Sequence, residues 1–237
     1  MDKLLRHSQE IRSLNPRKDS VISETISKKY YSINTISDIL NELGQCGDTI
    51  TLSRADIFNE SDTRKRIVKA LIWGYPNDVR NTPGVIENLD NIIAIVNAYK
   101  QNKDGHHLLI ELLGTNRMGL STASKLLYFF DVCFDDAPAV IIDNVVNEGL
   151  TLFEEFRSLP YISNAKNYIL GVKAINEVRN RLNSIIDDNL IIECEDVEYY
   201  LFRIGQQWIQ YERQQIIELK NRDNYVLFQE FLNNHVI

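Results

Sequence analysis

A helical period runs through most of this 237-residue chain, and it constrains the fold more than any single residue does. Leu89, Ile92, Ile93, Val96 and Tyr99 fall at i, i+3, i+4, i+7 and i+10, one apolar stripe along a helix. Pro83-Gly84 punctuates its start. A shorter stripe, Ile67, Ala70 and Leu71, follows Ser61-Asp62, a plausible N-cap. Two long helical patterns close the chain, roughly over 164–186 and 196–220. Strand signals are few: 50–58 is the most strand-like stretch, and 191–194 is short and ambiguous. With 5 Pro, 10 Gly and 44% hydrophobic residues, the chain can bury a core and carries no compositional mark of disorder. The expectation is an all-α or mainly α protein of about ten helices, with room for a very small β element.

Loop-like residues at 45–48 and 58–61 suggest a boundary near residue 60. The expected organisation is a central helical lobe over 61–160 and a second helical lobe built from 1–60 plus 161–237, with a cleft between them.

Charge and cysteine usage narrow the function classes. Twenty-six Lys+Arg against 33 Asp+Glu give a net charge of −7, which argues against a general nucleic-acid binder but leaves room for a local basic patch. Cys46, Cys133 and Cys194 are too few and too scattered for a disulfide framework or a four-cysteine metal site, and three reduced, mostly buried thiols are expected. His106-His107 is an adjacent pair that does not share a helix face, so no metal is expected. No apolar run has the roughly 18 to 20 residues that span a bilayer. The segment Met1–His7 lacks a signal-peptide apolar core, so a cytoplasmic protein with no membrane partner is expected.

The segment 106–150 carries the chemistry. A helix over 106–113 ends at Gly114, a short connection runs through Arg117, Met118 and Gly119, and a second helix covers 121–130. Gly119 and Ala123, four apart, suit a close helix approach, and a glycine at a helix start exposes a backbone N–H that can hold a DNA phosphate. Ala123, Leu126, Leu127 and Phe130 share a core face, while Ser121, Lys125 and Tyr128 share another. After Pro138 the apolar run Ala139–Ile142 reads as buried and ends in Asp143, which should cap the next helix and be held as a fixed carboxylate. Trp73-Gly74-Tyr75-Pro76 suits a rigid turn presenting aromatic rings, which suit either core packing or stacking on an extruded base. Arg64-Lys65-Arg66 is a small basic cluster that suits either DNA contact or a solvated face.

Hairpin, helix, Pro138, apolar run and Asp143 together resemble the helix-hairpin-helix DNA glycosylase superfamily, in particular the 8-oxoguanine-glycosylase-like proteins of bacterial phage-defence islands. The resemblance implies a two-lobed helix-hairpin-helix glycosylase fold and a DNA N-glycosylase, a hydrolase of repair or antiviral defence. Such an enzyme extrudes a damaged or modified base, an oxidised guanine or a modified phage base, and uses Asp143 to assist cleavage of the glycosidic bond. It implies double-stranded DNA with a flipped base as partner, other defence proteins beside it, and no cofactor. Lys125 precedes Asp143 by the spacing usual for a lysine nucleophile, which implies a Lys-dependent lyase step. Alignment on Gly119 and Ala123 instead places Ser121 at that position, one turn earlier. Gly119, Arg117 and Ser121 are the implied DNA contacts, and Trp73, Tyr75 and Tyr128 the implied base pocket. Arg117 stands where the family has the first hairpin glycine, and the C-terminal iron–sulfur cysteines of one branch are absent. The rival reading is a non-catalytic helical module that grips DNA or a protein, with Asp143 only capping a helix.

Overall fold

The computed structural model describes residues 3–25, 37–38, 49–76, 82–185 and 191–218. Cys46, His235, the 45–48 loop and the end of the last helical pattern lie outside them. The chain divides into two compact units, 15–141 and 1–14 with 142–237. It begins with two short helices of the latter, α1 (Lys3–Arg6) and α2 (Ser8–Ser13).

Unit 15–141 starts with α3 (Pro16–Asp19) and strand β1 (Val21–Thr25), which pairs antiparallel with β2 (Thr49–Ser53). In β2, Ile50 and Leu52 are buried while Thr51 is exposed, the alternation of a half-buried strand. The strand-like reading of 50–58 therefore holds only to Ser53. There a capping box takes over: Ser53 Oγ accepts from Asp56 N at 3.1 Å, and Asp56 Oδ2 accepts from Ser53 N at 2.8 Å. That reciprocal pair starts α4 (Arg54–Phe58).

Helix α5 (Thr63–Gly74) begins at Asp62, whose side chain accepts from Lys65 N at 2.8 Å. It buries Ile67, Val68, Ala70, Leu71 and Ile72. Helix α6 (Thr82–Glu87) precedes α7 (Leu89–Asn102), which buries Leu89, Ile92, Val96 and Tyr99 of the expected stripe. Asp104 caps α8 (Gly105–Gly114), and Gly119 stands at the N-cap of α9 (Leu120–Phe129). A two-residue ladder, β3 (Cys133–Phe134) with β4 (Ala137–Pro138), ends the unit and explains Pro138 as strand-edge punctuation. Helices α5 and α9 pack together, as do α7 with α8 and α8 with α9.

Glu60 and Lys69 pair at 2.7 Å beside the start of α5. Burial opposes ionisation of Glu60, but the Lys69 ammonium and the Asp62 amide outweigh it and hold the carboxyl below its ordinary value of 4.5. A depressed folded pKa contributes stability above the unfolded value and loses it as pH falls through the folded one. Glu60→Gln should therefore lower the melting temperature at pH 7, and this difference should vanish in melts run well below pH 4.5.

The other unit adds α10 (Asn144–Thr151), a 3-10 turn at Glu154–Phe156, α11 (Ala165–Ile185) and α12 (Cys194–Glu218). Leu4 N donates to Glu155 Oε1 at 2.8 Å, His7 lies 5.5 Å from the Tyr200 ring, and α12 packs on α2. Helices α10 and α12 cross at paired glycines. A Cβ on Gly149 would lie 2.1 Å from Leu201 O, and one on Gly205 would lie 2.1 Å from Val145 O. Two backbones meet there with no space for a side chain. Among the described residues no helix is long and apolar enough to cross a membrane.

Where three mostly buried thiols are expected, the two described ones differ. Cys133 is exposed, whereas Cys194 is buried, donates to Asn176 Oδ1 at 3.4 Å and is pushed up to about 11 by burial.

Candidate active site

The hairpin between α8 and α9 is a short, closed turn. Thr115 Oγ1 donates to Glu111 O at 3.2 Å and ends α8, and Met118 N donates to Thr115 O at 3.1 Å. Met118 is buried beneath the turn while Arg117 and Gly119 are exposed. Arg117 has φ of 65°, the left-handed region in which an L-residue is strained. The position thus keeps a glycine-like backbone without the glycine, and the Arg117 stem lies over Gly84 of α6. Gly119 differs from expectation. A Cβ there would meet nothing within 4 Å, so it does not serve close helix packing. What remains for it is the exposed start of α9, where the positive end of a helix favours an anion.

Helix α9 also departs from a two-faced helix. Every residue from Thr122 to Phe130 is buried, Lys125 at 4% exposure among them. A buried ammonium needs partners. Lys125 Nζ donates to Ser121 Oγ at 3.0 Å and to Ser121 O at 3.3 Å, and it stands 4.8 Å above the Tyr75 ring. The Tyr75 hydroxyl meets Ser121 Oγ at 2.9 Å and Thr122 Oγ1 at 3.1 Å. The two residues that rival alignments place at the nucleophile position therefore touch each other, and Tyr75 joins them.

Trp73 and Tyr128 occupy an aromatic cluster. Trp73 Nε1 donates to Ser20 O at 3.2 Å, and its ring meets Phe129 edge-on at 5.6 Å. Tyr128 meets Phe58 and Phe129, each at 5.0 Å. Buried Arg54 lays its guanidinium 5.3 Å from the Trp73 ring and 5.0 Å from that of Tyr128. Arg54 and Thr122 are members of these groups that the sequence reading did not single out. The basic cluster at 64–66 is engaged too: Arg64 pairs with Asp90, and Arg66 donates to the carbonyls of Phe58, Glu60 and Phe129.

Asp143 lies in the other unit, directly after the buried run Ala139–Ile142. It is the N-cap of α10, half-buried, and its Oδ1 accepts from Val145 N at 3.0 Å and Val146 N at 3.1 Å. Two amides fix this carboxylate in place at the start of the helix. The helix behind it is stitched to the following loop: Asn147 exchanges two 3.1 Å bonds with the backbone of Ile162, and the Tyr161 hydroxyl donates to Asn144 Oδ1 at 3.3 Å.

A family described as "Putative 8-oxoguanine DNA glycosylase OGG-like protein" matches residues 28–202, nearly three quarters of the chain. The chain belongs to that family, and the family's function is of the DNA glycosylase type. Comparison with curated proteins and with solved structures gives no match.

Proposed function

We propose that the chain is a DNA glycosylase that extrudes an oxidised guanine or a modified phage base from duplex DNA and cleaves its glycosidic bond with the help of Asp143. One observation carries the reading: within the family match, a carboxylate is held by two backbone amides at the start of a helix that follows a buried run. As the C1′–N bond breaks, positive charge develops on the sugar. A preorganised carboxylate stabilises that charge and orients the water whose oxygen bonds to C1′, while the base leaves with a proton. Lys125 takes part in the reaction on this reading, either as the amine that bonds to C1′ as the base leaves and goes on to a Schiff base, or as a cation that contacts the substrate. Exposed Gly119 and Arg117 hold the DNA backbone, with Ser121 next along α9. The fixed geometry of Tyr75 supports a place beside the extruded nucleotide, whereas the packing of Trp73 and Tyr128 suits a structural wall behind it.

The test is incubation with duplexes that each carry one candidate base, followed by mass spectrometry for the free base. Release by the wild type and none by Asp143→Asn supports the reading. No release from any duplex, with DNA still bound, would favour a non-catalytic module.

Arg117→Gly gives a separate expectation. A left-handed L-residue costs about 1 to 2 kcal/mol, so thermal denaturation should show the variant at least as stable as the wild type. If Arg117 neutralises a phosphate, the slope of log affinity against log salt should fall by about 0.9.

A further inference from the structure

Lys125 reaches its partners through a groove that exists because residue 74 has no side chain. A Cβ on Gly74 would lie 2.7 Å from both Cδ and Cε of Lys125 and 3.8 Å from Nζ. The next residue, Tyr75, supplies the ring under the ammonium and is itself fixed by the Ser121 and Thr122 hydroxyls. Gly74 is the last residue of α5, where alanine would ordinarily extend helix stability. Its lack of a side chain therefore serves the neighbouring helix: it admits the lysine stem and sets where the amine ends.

We propose that Gly74 and Tyr75 are positioning residues for Lys125, the first leaving room for its stem and the second holding its charge in register with Ser121. This rests on reading Lys125 as part of the glycosylase site. A displaced stem carries the amine away while the rest of the chain is intact, and misplacement by about 1 Å can cost roughly 100-fold in rate.

Two measurements test it on the full chain. The first is single-turnover base release beside DNA affinity. Gly74→Ala and Tyr75→Leu should each slow release about 100-fold, as Lys125→Ala should, with affinity retained in Gly74→Ala and no further loss in Gly74→Ala/Lys125→Ala. Tyr75→Phe, which keeps the ring, should recover much of the rate. The same double variant should melt no lower than Lys125→Ala alone, because alanine at residue 74 then meets no lysine. The second is lysine-selective NMR. The Lys125 ε-methylene protons should be shifted upfield by the Tyr75 ring, and Gly74→Ala and Tyr75→Leu should abolish the shift. The proposal falls if no lysine carries that shift in the wild type, or if Gly74→Ala keeps the wild-type rate. Wild-type protein that releases no base sinks the glycosylase reading instead, and the NMR result still decides the positioning of Lys125.

Discussion

Asp143→Asn should lose base release by roughly 100- to 1,000-fold or more, the scale on which a single preorganised charge acts in a water-poor site. Its melting temperature should fall only modestly. Asparagine ranks with aspartate as an N-cap, so it can still accept from the Val145 and Val146 amides. The missing charge at the helix start costs about 0.3 to 1 kcal/mol at an exposed site and up to about 2 kcal/mol at a partly buried one. Asp143→Ala should differ from Asp143→Asn in stability alone, by about 1 kcal/mol for the lost cap. Equal activities with unequal melting temperatures would separate chemistry from capping in one comparison. An Asp143→Asn variant active at the wild-type rate on a demonstrated substrate would end the catalytic assignment.

The largest loss of stability is expected from Gly205→Ala. Its new Cβ would sit 2.1 Å from Val145 O and 3.0 Å from Gly149 N, both backbone atoms that no rotamer change can move. Helices α10 and α12 would have to separate, and overpacking of this kind costs about 1 to 3 kcal/mol, occasionally more. Gly149→Ala meets Leu201 O in the same way. Either change opens the one crossing, so the double variant should lose less than the sum of the two, as denaturant titration would show. Base release should fall as well, because α10 carries Asp143 at its start.

The helices were legible because their signals are local. The stripe from Leu89 to Tyr99, the cap at Asp62, the glycine that ends α8 and the apolar run before Asp143 all act within a few residues. The start of α4 was equally legible in Ser53 and Asp56, a capping box overlooked beside a strand-like stretch. Lys125 was legible only in part. Helical spacing places it on the face of Ser121, but that this face is buried depends on Tyr75, which belongs to a distant segment. Arg54, buried against two rings from other helices, has no local signature at all. Nor has the pairing of Gly149 with Gly205, which exists only once α10 and α12 cross.

Arg66 ties local order to the unit as a whole. Its guanidinium donates to Glu60 O at 2.7 Å, Phe58 O at 2.8 Å and Phe129 O at 3.3 Å, carbonyls at the ends of α4 and α9 and in the approach to α5. Helix ends normally fray one by one, because their last carbonyls have no α-helical partner within the helix. Here one planar fork closes two of them from a third helix, a geometry that a lysine cannot reproduce. The amides of α4, α5 and α9 should therefore exchange their hydrogens with deuterium as a single cooperative block, rather than as three independent segments.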